Sequence, residues 1–161
     1  MPIPPGLVIG LLGCGDPTAE AMASYHEQMA PLMVRNVDIA NRFLDLAGAV
    51  HQNGLPPDDV IRDISTEIVP AADALKDAIA EVRPTEATLL ERHARAVEGW
   101  TLQADAYRAL TAAYGRNDLV GFTEARNRLS EAKVLIETYL DEVNLILEPH
   151  GCPIDAFPQV R

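Results

Sequence analysis

The side chains of this chain best equipped for chemistry are Met22, His26, Met29 and Met33. Spacings of four, three and four place all of them on one face of a helix. Three thioethers and one imidazole form a soft donor set that suits Cu(I). The row also runs on into Val37, Ala40 and Leu44, and methionine is a common filler of irregular core gaps. Core packing is therefore the first expectation for this row, and a metal site is the alternative. His93 poses the same choice. It shares a helical stripe with Leu90, Val97 and Trp100, where an imidazole can ligate a metal or a haem. In a bundle interior such a histidine more commonly makes one hydrogen bond across the bundle and stays neutral. That is the expectation here, with a backbone carbonyl freed by Pro31 or Pro70 as the anticipated partner.

Other chemistries find no support. Di-iron bundles use Glu-x-x-His pairs on two helices with two further glutamates, and the sequence holds no Glu-x-x-His. It also lacks a Gly-rich phosphate loop, a Gly-x-Ser-x-Gly elbow and a His-Glu-x-x-His motif, the signatures of three common catalytic classes. Neither enzyme activity nor a cofactor is expected. Asp59, Asp63, Glu67, Asp73, Asp77 and Glu81 form an acidic row opposite a run of isoleucines. Without an EF-hand loop pattern, the row reads as a solvated face.

The elements that must position these residues are helices. At 161 residues the chain is sized for one domain. Its 48% hydrophobic content with only 5% aromatics favours a helical core over a sandwich or barrel. A net charge of −11 excludes nucleic acid as a partner, since a phosphate backbone needs a basic footprint. It equally excludes a polybasic grip on anionic lipid.

From Asp16 onward the apolar period is near 3.6. Asp16 and Pro17 are a cap and a first helical residue. The first stripe is Met22, His26, Met29, Met33, Val37, Ala40, Leu44 and Ala47, widened by Tyr25, Leu32, Ile39 and Phe43. Pro31 removes one backbone bond, which predicts a kink, and Gly54 suits a left-handed C-cap. Leu55-Pro56-Pro57-Asp58-Asp59 opens a second helix with the stripe Ile61, Ile64, Ile68, Ala72, Leu75, Ile79 and Val82, kinked near Pro70. Arg83-Pro84-Thr85 separates it from a third, with Leu90, His93, Val97, Trp100, Ala104, Tyr107, Thr111 and Tyr114 inward. Asn117-Asp118 caps a fourth, whose core positions are Phe122, Ala125, Leu129, Ala132, Ile136, Tyr139, Val143 and Leu147. Short connections make successive helices antiparallel neighbours. The expected fold is all-α, a four-helix up-and-down antiparallel bundle over residues 16–150 with kinks near Pro31 and Pro70. Residues 151–161 form a tail expected to strap the bundle end.

Residues 1–15 carry a signature of their own. The longest apolar run, residues 6–15, has the length of a signal-peptide h-region and falls short of the roughly 18 apolar residues a spanning helix needs. Within it, Leu11-Leu12-Gly13-Cys14 resembles the bacterial lipobox, and the plan of leader plus bundle resembles the small helical lipoproteins of bacterial envelopes. The resemblance covers those four residues and that general plan. It implies cleavage after Gly13, lipidation of Cys14, and contact with the membrane through that lipid anchor. It also implies a place in the bacterial cell envelope, on its periplasmic or extracellular face. Residues 1–13 hold no charged side chain, so the mature domain would keep the whole −11. If they are not a signal, they are an apolar arm packed along the bundle and the protein is cytoplasmic.

Cys14 and Cys152 fit no metal or redox spacing. They lie just outside the first and last helices, whose ends meet in such a bundle, so a disulfide is open to them in an oxidising compartment unless Cys14 carries a thioether-linked lipid. The functional expectation is a non-enzymatic, membrane-tethered lipoprotein that binds or scaffolds another envelope protein. A metal- or haem-binding bundle using Met22, His26, Met29, Met33 and His93 is the first alternative. A soluble dimerising bundle is the second.

Overall fold

A computed structural model describes residues 16–52 and 57–155, without the side chains of residues 50–52. The lipobox, Gly54 with the Leu55-Pro56 turn, and the tail beyond Asp155 lie outside these residues. The described chain is all-α and forms four helical rods. The first is α1 (Pro17–Gln52). The second is composite: α2 (Pro57–Asp63), a π-helical turn (Ile64–Ile68) and α3 (Val69–Glu81). α4 (Ala87–Gly115) and α5 (Leu119–Leu147) complete the set, and a 3₁₀ turn (Glu148–His150) follows α5.

The caps explain the boundaries. Asp16 accepts from the Thr18 N–H at 3.0 Å, and Asp118 accepts from the Gly121 N–H at 2.9 Å, both satisfying first-turn donors. α4 begins two residues later than Arg83-Pro84-Thr85 suggests. Its cap is Glu86, whose carboxylate takes the Thr88 N–H at 2.6 Å and the Thr88 hydroxyl at 2.9 Å.

The two internal prolines behave differently. α1 runs as one helix through Pro31. Pro31 and Glu27 are both exposed, and water can take the Glu27 carbonyl that the proline leaves free. Pro70 sits directly behind the π turn, in which the Val69 N–H reaches back to the Ile64 carbonyl. A normal α-turn would press the proline ring onto the Thr66 carbonyl, and widening the turn relieves this. The apolar spacing requires the same adjustment. Val60, Ile64, Ile68 and Ala72 are all buried at intervals of four. Such a series drifts about 40° per step in a 3.6-residue helix, and the wide turn brings the row back to one face.

Paired side chains define the register. Between the composite rod and α4, Asp58 meets Tyr114, Asp73 meets Arg108 and Ile79 meets His93, in opposite chain order. Between α4 and α5, Arg95 meets Glu142 and Gly99 lies against Ile136, again in opposite order. α4 with α5 is the most extensive helix contact. A Cβ at Gly99 would stand 3.0 Å from Ile136 Cγ1, so glycine sets how closely these two helices approach. Buried alanines (Ala106 and Ala113 on α4, Ala125 and Ala132 on α5) share those faces but lie outside the main apolar cluster.

That cluster is built around Trp100, Tyr25, Tyr139, Met29 and Leu75, all essentially inaccessible. Two inward assignments from the sequence are corrected. Leu90 is 58% exposed and its neighbour Leu89 is buried in its place. Leu44 is 65% exposed, because α1 and α5 leave a recess between them at this level. The chain after α5 turns back at Gly151, in the left-handed conformation. Ile154 is buried, its N–H and C=O both bonded to the Asn144 side chain at 2.7 and 2.9 Å. Residues 152–155 thus close the bundle end as a strap.

Candidate functional site

Two features stand out: a chain of polar groups inside the core and an apolar recess at its edge.

His93, 5% exposed, lies 3.0 Å from the Ile79 carbonyl through Nε2 and 3.0 Å from the Tyr25 hydroxyl through Nδ1. Because a carbonyl only accepts, Nε2 must carry the proton and Nδ1 must accept. The Tyr25 O–H therefore donates to Nδ1, and its oxygen accepts from the Tyr139 O–H at 2.8 Å. The chain has one direction, from Tyr139 through Tyr25 and His93 to Ile79. Burial lowers the His93 pKa; the Ile79 bond opposes this and Arg83 adds to it. Burial also pushes Tyr25 up to about 12, against the bond from Tyr139, and raises Tyr139 further. All three are neutral at physiological pH. T-shaped ring contacts, Tyr25 with His93 and Trp100 with Tyr139, each with centroids 5.7 Å apart, pack the chain.

The buried, hydrogen-bonded position expected of His93 is the one found. Its partners differ from the expected ones. The Ile79 carbonyl belongs to the last turn of α3, where it has no i+4 donor and takes the Val82 N–H at 3.1 Å, and not to a proline-opened turn. Tyr25 entered the sequence reading only as an apolar stripe residue. Asn36, which accepts the Trp100 indole N–H at 2.9 Å, gave no signal because a single polar residue on a helix has no period.

The methionine row is divided by burial. Met22, Met29 and Met33 belong to the main core cluster. His26 is half-buried beside them, and its buried Nδ1 has no protein partner. Among the described residues no group of three or more His, Cys, Asp or Glu side chains is placed to hold a metal ion. Both nitrogens of His93 are already committed, so ligation there would have to break the polar chain. Cys152 is half-buried; its thiol points to the Leu147 carbonyl at 3.6 Å, and burial raises its pKa. Cys14 lies outside the described residues.

The acidic row is more than a solvated face. Glu67 forms a two-point pair with Arg42 of α1 at 2.7 and 3.1 Å, which holds the Glu67 carboxyl below the usual range. Asp73 pairs with Arg108 of α4. The cations come from other helices and are far away in sequence, so no local pattern announces them.

The recess lies where α1, α2, the π turn, α4 and α5 converge. It encloses about 720 Å³ and is lined by Phe43, Leu44, Ala47, Ile61, Ile64, Leu110, Phe122 and Leu129 among others, with Arg126 as its charged member. A second hollow of about 370 Å³ shares Phe43, Leu44 and Leu129 and continues along α1 and α5 to Lys133 and Glu137. This volume is within the range of small-molecule sites, which combine apolar walls with a few polar groups. The chain matches no protein-family model, no curated protein and no solved structure.

Proposed function

We propose that this protein is a non-catalytic binding module of the bacterial cell envelope, held at a membrane by lipidation of Cys14 and taking an apolar guest into the recess between α1 and α5. The observation that carries the binding role is Leu44. It continues the apolar stripe of α1, yet it stands 65% exposed on the rim of the recess and lines both hollows. An apolar helix face left open costs stability that an unoccupied surface does not return.

The tether rests on the lipobox resemblance of Leu11-Leu12-Gly13-Cys14. Among the described residues no helix is long and apolar enough to cross a membrane. A protein partner in the envelope is in keeping with this reading.

Two experiments test the two halves. Cys14→Ala should remove the protein from the membrane fraction and leave it unprocessed; equal membrane association of wild type and variant would refute the anchor. The fluorescent dye anilinonaphthalene sulfonate should bind the folded protein at one site and be lost in Leu44→Glu. A variant that binds dye as well as wild type would refute the recess as the working surface.

His26 favours one second reading, a Cu(I) site on the Met22, His26, Met29 and Met33 face, because its buried Nδ1 is unpartnered. Stoichiometric Cu(I) binding that disappears in His26→Ala and Met29→Leu would establish it. Failure of the wild type to bind Cu(I) would remove it.

A further inference from the structure

The recess has one polar feature that selects among apolar guests. Most cations of this chain are engaged: Arg42, Arg62, Arg95 and Arg108 pair with carboxylates, and Lys133 is held by Glu137 at 3.6 Å. Arg83 bonds to the Ala80 and Val82 carbonyls. Arg35, Arg126 and Arg128 have no carboxylate partner among the described residues, and of these three Arg126 lines the larger hollow. In a chain of net charge −11, a cation at an apolar mouth without a counter-ion is a place made for an anion. Five helical segments wall the hollow, which is a half-open recess. A partner helix would rest on a longer, shallower stripe of anchors.

We infer that the guest is a free single-chain amphiphile with a carboxylate head, a long-chain fatty acid. Its head pairs with Arg126, and its chain lies in the hollow against Phe43, Ile61, Ile64, Leu110 and Phe122. This rests on the proposed reading of the recess as a binding site and adds the chemistry of the guest. The guanidinium offers a two-point fork to a carboxylate, and the apolar walls reward chain length. Each added methylene should tighten binding about fourfold until the hollow is full.

The test uses the full chain, with hexadecanoate, dodecanoate and the neutral hexadecanol competing against bound anilinonaphthalene sulfonate below their aggregation limits. Hexadecanoate should displace the dye at one equivalent and bind more tightly than dodecanoate. Arg126→Gln should weaken hexadecanoate about tenfold with hexadecanol unchanged, and Arg126→Lys, which keeps the charge but not the fork, should restore part of the loss. Arg126 is exposed, so these variants should fold. If the wild type does not prefer hexadecanoate to hexadecanol, or Arg126→Gln has no effect, the carboxylate assignment is wrong while the recess stands. Dye binding that no amphiphile displaces also overturns the fatty acid and leaves the recess open to a protein guest. A dimer in sedimentation that Leu44→Glu dissociates assigns the surface to a second copy and overturns the inference. Absence of dye and of all three amphiphiles refutes the recess reading itself.

Discussion

The Tyr25 hydroxyl lies 3.0 Å from His93 Nδ1, across 68 positions of sequence, and it both satisfies that nitrogen and receives the Tyr139 proton at 2.8 Å. Removing it by Tyr25→Phe orphans two buried partners at once. Removing the Tyr139 hydroxyl leaves the Tyr25–His93 bond intact. Tyr25→Phe should therefore cost about 2–3 kcal/mol and Tyr139→Phe about 1 kcal/mol. Urea unfolding of the two variants checks the order, and a Tyr139→Phe loss equal to or larger than that of Tyr25→Phe would contradict the central place of the Tyr25 hydroxyl in the chain.

His93 should make the protein sensitive to acid. Its folded pKa is lowered, mainly by burial, so the unfolded chain binds more protons below about pH 6.5. Stability is therefore complete above that pH and declines as pH falls toward the folded value, with a slope of at most about 1.4 kcal/mol per pH unit for one group. His93→Leu should cost about 1–3 kcal/mol near neutrality, because it orphans the buried Tyr25 O–H, while the Ile79 carbonyl keeps the Val82 N–H at 3.1 Å. It should also flatten the decline below about pH 6.5. Parallel unfolding curves for wild type and His93→Leu across that window would show that another group is responsible.

Trp100 is the chain's single tryptophan, and its indole N–H depends on Asn36. Asn36→Leu should leave that buried donor unsatisfied at a cost of about 1–3 kcal/mol. The change is readable by the same residue, as an altered indole emission maximum in the folded state. An unchanged emission with unchanged stability would mean that solvent already serves this group.

The approach of α4 to α5 is set at Gly99. Gly99→Leu should overpack the contact with Ile136 and Leu135, at about 1–3 kcal/mol or more. Coupled with Ile136→Ala, which removes the closest atoms, the double variant should lose less than the sum of the singles. Strict additivity in thermal unfolding would show that the two side chains do not compete for this space.

By itself the sequence determined the all-α class, four helical rods, the caps at Asp16 and Asp118, and a buried neutral His93. These follow from short-range rules: the 3.6 period, the chemistry of a first helical turn, and the cost of burying charge. It placed Leu90 and Leu44 inside wrongly, because a stripe defines a face to within about one residue and cannot say whether a neighbouring helix covers that face along its whole length. Pro31 and Pro70 look alike in sequence, yet α1 passes through one and a π turn precedes the other, where four-spaced apolar residues also call for a wider turn. The partners of His93, Trp100, Glu67 and Asp73 come from other helices, from 14 to 68 positions away. Periodicity carries no information about such pairs. Only tertiary structure decided them, and only tertiary structure opened the recess. The close Gly99 approach holds α5 against α4, while α1 at Leu44 is left uncovered, a balance among three helices that no single stretch of sequence contains.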